Sequence, residues 1–235
     1  MKQVGQIIDD IIIRIANATG KRLDESKVSE RNIYSELLDT RIFLLREKRL
    51  KGRQYSDFDI MTMPCVELAE APYSECPLIP AKRMVRRTVL DLPKPLMGMF
   101  EAVIDPEANL NIDYVKWEDV GNYENTRYSY TNPLYTYQNY NNKIRIYIMD
   151  APHLKYLTVK VLPEDPLDVL RFPVCGQTEI NKCLDIRSQE FPMDADLIKT
   201  AKEIIIANYM QSLNLRGDIQ QDNNDNTAVQ KPNTK

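Results

Sequence analysis

Apolar residues near the N-terminus recur with the spacing of an α-helix. They alternate in steps of three and four residues, which places them on one face of a helix. The positions are Val4, Ile7, Ile8, Ile11, Ile12 and Ile15. Gly20 follows and is a typical helix end. We therefore predict a first helix from Val4 to Ala18.

Two further stretches show the same helical period. The second begins after Ser29, whose hydroxyl can cap free backbone amides, and runs to about Leu50 before Gly52. The short link between the first and second stretches predicts that these two helices pack as a hairpin. The third opens at Pro192-Met193-Asp194, where Asp194 suits a helix start, and should fade between Leu213 and Gly217.

The middle of the chain has the period of β-strands instead. Apolar and polar residues alternate in residues 143–149 and 155–162. Pro64 interrupts the strand predicted over residues 59–68, which favours an edge or bulged strand. A further strand is predicted over residues 83–90. Hairpins are predicted for residues 100–104 with 111–115, and for residues 135–139 with 143–149.

Helices at both ends with strands between them predict an α+β fold. The terminal α-helices would pack as a helical domain with an inserted antiparallel β domain and an extended C-terminal arm. The predicted parts are an N-terminal helical hairpin (1–54), a β-rich domain (55–190), a C-terminal helix that packs on the N-terminal helices (191–215) and the arm (216–235).

The last twenty residues are polar, rich in Asp and Asn, and nearly free of large apolar side chains. Such a segment cannot bury enough surface to fold alone, so we expect a partner to hold it. This indicates an assembly component. The residues predicted to bind the partner are Arg216, Asp218, Ile219, Asp222, Asn223, Asn224, Val229 and Lys231.

Charge is nearly balanced, with 31 basic and 34 acidic residues and a net charge of −3. Tight wrapping of DNA is therefore not favoured. Two basic clusters remain candidates for contact with DNA phosphate or with an acidic partner. The first is also explained by the helix dipole, and the second by ion pairs between subunits. Their candidate residues are Arg46, Lys48, Arg49, Lys51 and Arg53 in the first, and Arg83, Arg86 and Arg87 in the second.

Tyrosines cluster between residues 123 and 140. They could stack on single-stranded bases, but few basic residues lie among them. Packing within loops or interfaces is therefore the favoured interpretation.

Motifs of catalysis are missing from the sequence. A histidine-based triad would have to use His153, the one histidine, which we interpret as a surface or packing residue. The four cysteines form no CxxC pair, and buried free thiols are favoured over zinc. We predict no enzyme activity, cofactor or metal, although a metal-dependent nuclease built on carboxylates stays an alternative. No secretory signal or membrane-spanning run is expected.

Several segments resemble the head–tail connectors of tailed bacteriophages, above all the first ring protein, or tail adaptor, of crAss-like phages. The residues that carry the resemblance are Arg31-Asn32-Ile33-Tyr34-Ser35-Glu36-Leu37-Leu38-Asp39-Thr40-Arg41, Met63-Pro64-Cys65-Val66-Glu67-Leu68, Glu75-Cys76-Pro77, Leu157-Thr158-Val159-Lys160-Val161-Leu162 before Glu164-Asp165-Pro166, Phe191-Pro192-Met193-Asp194-Ala195-Asp196-Leu197-Ile198, and the polar tail.

The resemblance implies a structural virion protein that forms a ring, a dodecamer, beneath the portal. Its partners would be copies of itself, the portal protein, the next tail ring and, weakly, the double-stranded DNA that passes through the channel. The arm would reach the portal or a neighbouring subunit, and the two basic clusters would contact the DNA or an adjacent ring. Assembly in the host bacterial cytoplasm and a place at the portal vertex follow. Another neck, tail-ring or terminator protein, or a non-viral scaffold, remain alternatives.

Overall fold

The computed structural model describes residues 2–19, 28–72, 84–120, 133–140, 143–173 and 184–225. The helices of these residues are α1 (Val4–Thr19), α2 (Glu30–Leu50), α3 (Pro166–Leu170) and α4 (Ala195–Asp225). The strands are β1 (Met61–Glu70), β2 (Val85–Thr88), β3 (Ala102–Asp105), β4 (Leu110–Asn111), β5 (Asp113–Tyr114), β6 (Leu134–Tyr140), β7 (Lys143–Met149) and β8 (Tyr156–Val161). An α+β fold is therefore confirmed.

The chain divides into two compact units. One unit combines residues 1–47 with 186–235, and the other consists of residues 48–185. A β-rich segment is thus inserted between two helical segments. Both boundaries lie slightly earlier than the sequence-based divisions after residues 54 and 190.

The helical unit has one apolar core, to which α1, α2 and α4 all contribute. Ile11, Ile33 and Ile205 are each fully buried in it. Burying one such side chain contributes about 1.5–3 kcal/mol relative to its exposure. The spacing that predicts these helices also identifies the residues of this core.

Within the helical unit, α1 packs most closely against α4. α1 and α2 both contribute to the same core, and their predicted packing as a hairpin stays a prediction. Ala201 of α4 is small and fully buried in the core that the three helices share. Ser29 behaves as predicted: its Oγ accepts a hydrogen bond from the Asn32 amide at 3.2 Å, just before α2 begins.

The start of α1 is tied to the segment that precedes α4. The Gly5 amide donates to the Arg187 carbonyl at 2.9 Å, and the Phe191 amide donates to the Lys2 carbonyl at 3.0 Å. A Cβ atom on Gly5 would lie 3.0 Å from the Arg187 carbonyl oxygen. Glycine is therefore needed for this close approach.

In the β-rich unit, the strands follow the order β4-β3-β8-β1-β2-β7-β6-β5. The two terminal strands of this order, β4 and β5, are consecutive in the chain and are separated only by Ile112. The Ile112 amide donates to the Val103 carbonyl, and the Val115 amide donates to the Tyr135 carbonyl, both at 2.8 Å. One continuous segment therefore joins both ends of the sheet, and the sheet closes on itself.

Closure also corrects the predicted strand directions. β5 pairs with β6 in parallel, whereas the other pairs are antiparallel. The reason is that residues 110–114 pair first with β3, through β4, and then with β6, through β5. Both predicted hairpins are confirmed as β3 with β4 and β6 with β7, although the strand expected over residues 111–115 is divided.

β1 changes its pairing partners along its length. Its first part pairs with β8 and its last part with β2, with a shift of register between Met63 and Val66. Pro64 and Cys65 lie at this shift, and Cys65 has a positive φ of 58°. The predicted bulged strand is confirmed, because proline cannot donate to the ladder at this point.

Two features of this unit depart from the sequence predictions. Cys65 is joined in a disulfide, so the expectation of free thiols is wrong for this residue; the other three cysteines lie outside the described residues. The short helix α3 was not predicted. Asp165 Oδ1 accepts from the Leu167 amide at 2.9 Å, and Pro166 opens the helix, an arrangement that favours a helix start.

Candidate functional site

The basic cluster at the end of α2 is largely engaged within the protein. Lys48 Nζ lies 2.7 Å from Asp59 Oδ2, and the two side chains are only 12% and 0% exposed. The same carboxylate oxygen accepts from the Ser56 amide at 3.0 Å. Asp59 thus fixes the turn after α2 and neutralises Lys48.

Arg49 stacks on an aromatic ring in the same region. Its guanidinium carbon lies 5.7 Å from the centroid of the Tyr55 ring, a cation–π geometry. Burial raises the pKa of the Tyr55 hydroxyl. Lys48 and Arg49 also occupy the last turn of α2, where cations stabilise the helix dipole.

The remaining members of this cluster differ in their surroundings. Arg46, Lys51 and Arg53 are all exposed, and Arg46 and Lys51 also have interactions within the protein. Arg53 is therefore the member best placed for an external contact, and the predicted contact of this cluster with DNA or another ring stays a prediction.

The second basic cluster lies in the sheet. Arg86 and Arg87 are half-buried in β2, and Arg86 Nη1 donates to the Leu154 carbonyl at 2.5 Å. In the register of β1 and β2, Arg86 lies opposite Glu70. Arg83 is outside the described residues. Arg86 is thus partly used for packing inside its own unit.

Two tyrosines of the predicted cluster, Tyr135 and Tyr137, pack against the ring of Tyr114. The ring centroids of Tyr114 and Tyr137 are 5.6 Å apart and stacked, and Phe100 meets Tyr137 edge-on at the same distance. Tyr135 is buried, which raises the pKa of its hydroxyl. Tyr123, Tyr128 and Tyr130 are outside the described residues. Tyr135 and Tyr137 therefore favour internal packing over base stacking.

His153 is exposed, as the sequence interpretation expects. Its side chain is 60% exposed, and its Nε2 lies 3.9 Å from Asp105 Oδ2. Asp105 Oδ1 accepts from the amides of Glu107 and Ala108 at 2.9 and 3.2 Å. The carboxylate thus organises the turn between β3 and β4.

Ion pairs connect the elements of the helical unit. Arg187 Nη2 reaches both carboxylate oxygens of Asp9 at 2.8 and 2.9 Å, and its Nη1 contacts Glu30. Lys202 on α4 pairs with Asp10 on α1, which holds the pKa of the Asp10 carboxyl below its usual value. These pairs fix the start of α1 against α2 and α4.

Glu36 and Tyr209 link α2 to α4 by a hydrogen bond. Burial, more than the nearby Asp39, raises the pKa of the Glu36 carboxyl, and burial raises the pKa of Tyr209 to about 12. The tyrosine hydroxyl therefore stays protonated at neutral pH and donates to the Glu36 carboxylate.

This link gives a prediction about pH. A raised pKa in the folded state means that the folded protein gains a proton at Glu36 before the unfolded protein does as pH falls. The contribution of Glu36 to stability should therefore improve as pH falls from 7 and be complete below the ordinary value of 4.5. We expect Glu36→Gln to raise the melting temperature at pH 7 and to lose that advantage by pH 4.

Thermal melts across this pH range, followed by circular dichroism, check this expectation. Glu203→Gln, which changes an exposed carboxylate on α4, is the matched control and should show no such trend. A difference between Glu36→Gln and the wild type that does not change with pH would contradict the assignment.

Metal and membrane sites are not evident in the described part of the chain. Among those residues, no group of three or more His, Cys, Asp or Glu side chains is placed to hold a metal ion. None of the described helices is long and apolar enough to span a membrane.

A family model described as phage tail ring protein 2 matches residues 6–231. The chain belongs to this family. The match covers nearly the whole chain and includes residues of both units, so the predicted resemblance to a ring or connector protein of crAss-like phages is confirmed. The resemblance pointed to the first ring, whereas the family description carries the number two. No curated protein matches the chain.

The polar tail of this phage tail ring protein is only partly described. α4 continues to Asp225, so the prediction of an extended arm from residue 216 is wrong for residues 216–225. Gly217 is tolerated within the helix, and no proline occurs between Pro192 and Pro232. The helical part carries Arg216, Asp218, Ile219, Asp222, Asn223 and Asn224, whereas Val229 and Lys231 lie outside the described residues.

Several structural residues of the ring protein gave little signal in the sequence. Asp59, Arg41 and Arg187 are each used in contacts that join distant elements. Their partners are separated by 11, 151 and 178 positions. Only the tertiary fold brings such partners together, so no local spacing could reveal them.

Proposed function

We propose that this tail ring protein closes into a ring of copies at the neck of the virion and joins the portal vertex to the tail. The ring would form part of the channel for double-stranded DNA, with twelve copies as the expected number. One observation carries the proposal: a single ring-family model spans both units. Assembly in the host cytoplasm would precede incorporation into the virion.

The electrostatics of the chain support a channel role. Lys48, Arg49 and Arg86 are engaged inside the protein, and the net charge is −3. A channel wall that holds phosphate weakly lets DNA slide, since strong phosphate contacts would slow its passage. The exposed Arg53 then offers a weak contact to DNA or to the next ring.

Imaging and mass together test the ring. We expect the purified protein, alone or with portal protein as a template, to give a closed ring with a central opening, and native mass spectrometry to give the copy number. In virions, labelled protein should appear at one vertex of the capsid. A uniform distribution over the capsid, or a monomer that binds no portal, would contradict the proposal.

The role we propose is structural and non-catalytic. The alternative of a metal-dependent nuclease is tested by incubation with single- and double-stranded DNA in Mg²⁺ or Mn²⁺. We expect no cleavage above that of a mock purification. Cleavage that follows the protein through purification and disappears in EDTA would support the alternative.

The end of the chain provides a functional prediction. Deleting residues 226–235 leaves α4 intact, so we expect an unchanged melting temperature. Because these residues are too polar to fold alone, we propose that they bind a partner in the assembly, the portal or a neighbouring copy. Virions carrying the truncated protein should therefore be strongly reduced in number.

Counting tailed particles by electron microscopy measures this effect. A matched control replaces residues 226–235 with a Gly/Ser segment of equal length, which keeps the length but removes the side chains. Both variants should fail to assemble. Normal virion yield from either of them would show that the side chains of the tail are not required.

A further inference from the structure

An open groove lies within the β-rich unit, between the segment that precedes β3 and the region around α3. Its volume is about 560 Å³, within the range of sites that bind small ligands. It can therefore hold a few side chains of a peptide. The lining residues used below are Leu92, Lys94, Glu164, Asp165, Asp168 and Phe172.

Backbone hydrogen bonds fix the walls of this groove. The Glu164 amide donates to the Lys94 carbonyl at 2.9 Å, and the Leu92 amide donates to the Ile144 carbonyl at 2.8 Å. Lys94 Nζ and Glu164 Oε2 are 3.0 Å apart across the same wall. Leu92 is buried, and Phe172 packs on the core. The groove is thus preformed and has an apolar floor.

The charges that line the groove do not balance. Glu164 pairs with Lys94, and Asp91 pairs with Arg145 at 2.8 Å. Among the remaining lining residues, the carboxylates of Asp165 and Asp168 are opposed by one cation, Arg171. One negative charge is therefore left on the α3 side of the groove.

The excess negative charge affects the protonation of Asp168. Burial first, and then the nearby Asp165, raises the pKa of the Asp168 carboxyl, while Arg171 opposes the shift. A second cation beside Asp168 would favour its ionised form. The groove is therefore suited to a segment that combines apolar groups with one positive charge.

The end of this chain has that chemistry. Residues 226–235 contain two lysines and no acidic side chain, whereas residues 216–225 contain three aspartates and one arginine. Lys231 is followed directly by Pro232, and Val229 lies two residues before it, so two apolar side chains lie within two positions of its charge. Fully extended, ten residues span about 33 Å.

We propose that the groove of one copy receives residues 229–232 of a neighbouring copy. Lys231 lies beside Asp168, and Val229 and Pro232 cover the apolar floor at Leu92 and Phe172. This inference rests on the proposed ring, because it requires adjacent copies. It names the receiver of the tail: the β-rich unit of the next subunit rather than the portal.

Photo-cross-linking of full-length protein tests the contact directly. One copy carries p-benzoylphenylalanine in place of Val229, and the other is wild type and labelled with ¹⁵N, so mass spectrometry separates contacts between copies from contacts within one copy. We expect cross-links between the differently labelled copies that map to residues 90–94 and 164–173. Cross-links to other regions, cross-links within one copy only, or none would overturn the proposal.

Exchange of charge supplies the matched variants. Asp168→Lys alone and Lys231→Glu alone should each lower the cross-link yield between identical copies by about fivefold, the size expected for a partly exposed ion pair. Together in one chain they should restore it. Asp196→Lys, which makes the same change in the first turn of α4, should leave the yield unchanged. Loss of yield without recovery in the double variant would overturn the role of the pair.

These experiments distinguish a failure of the tail-to-groove contact from a failure of the proposed ring. Rings of wild-type protein without tail-to-groove cross-links would refute the inference and leave the ring proposal intact. Tail-to-groove cross-links between copies that never close into rings would do the reverse. Cross-links from position 229 to portal protein, in a mixture that contains it, would assign the tail to the portal and overturn the inference.

Discussion

Replacing Asp59 with alanine is expected to lower the free energy of unfolding of the β-rich unit by about 3–5 kcal/mol. Asp59 is fully buried, and its carboxylate receives the Lys48 ammonium at 2.7 Å and the Ser56 amide at 3.0 Å. Without Asp59, the Lys48 ammonium loses this carboxylate partner. The Lys48 side chain is only 12% exposed, so its charge is poorly hydrated. Breaking a buried pair costs more than the pair contributes, because the remaining charge stays desolvated.

Urea unfolding followed by tryptophan fluorescence measures this effect. Trp117 is the one tryptophan in the chain and packs 5.2 Å from the ring of Tyr147 in the same unit. The double variant Lys48→Met/Asp59→Asn removes both charges and keeps an acceptor for Ser56, so it should recover most of the stability. If the double variant is as unstable as Asp59→Ala, the ion pair is not the cause.

Replacing Arg41 with alanine is the second large effect that we expect, at about 3 kcal/mol or more in the helical unit. Arg41 is fully buried, and its Nε donates to the Pro192 carbonyl at 3.1 Å. The substitution leaves a cavity and removes the donor to that carbonyl. It therefore loosens α2 from the segment that leads into α4.

Far-UV circular dichroism during urea unfolding reports on this unit, since α1, α2 and α4 dominate the helical signal. Arg41→Met retains much of the volume of the side chain and should lose about half as much stability. Arg31→Ala, at an exposed position of the same helix, should change stability by less than about 0.5 kcal/mol. Equal effects of the alanine substitutions at positions 31 and 41 would contradict the importance of burial.

Local patterns predicted the elements well where one side of the element faces a core. Ile7, Ile11 and Ile15 repeat every four residues and are buried in α1. Ile144, Ile146 and Ile148 alternate and are buried in β7. In both cases, the period of the sequence is the period of the buried face.

Pairing between distant segments was harder to predict. The close packing of α1 against α4 joins segments nearly 200 positions apart, and the mixed strand directions depend on residues 110–114 pairing with two different strands in succession. The extension of α4 to Asp225 was missed because its polar residues lack the apolar period on which the prediction relied. Polar residues need not end a helix, since Gln and Asp cost little there compared with proline.

The candidate site residues also divide into those that local sequence predicts and those that only the tertiary fold reveals. The basic cluster on α2 was recognised from composition, but its buried partner Asp59 lies beyond the helix and has no distinctive local motif. The polar tail was recognised from composition as well, whereas the groove around α3 is assembled from two segments about 70 positions apart in the chain and was not predicted. Composition can indicate that a charged or polar segment needs a partner, but only the folded structure shows which residues lie near enough to be that partner.

The segment of residues 110–114, which pairs with β3 and then with β6, has a consequence for subunit association. A sheet with a terminal strand can be extended by a strand from another molecule, either usefully or as the first step of aggregation. Here the two terminal positions of the strand order are joined by the chain itself, so residues 110–114 do not form a free end of the sheet in the described part of the chain. A contact made at this place would use side chains, which can be substituted one at a time without disturbing the backbone pairing of the sheet.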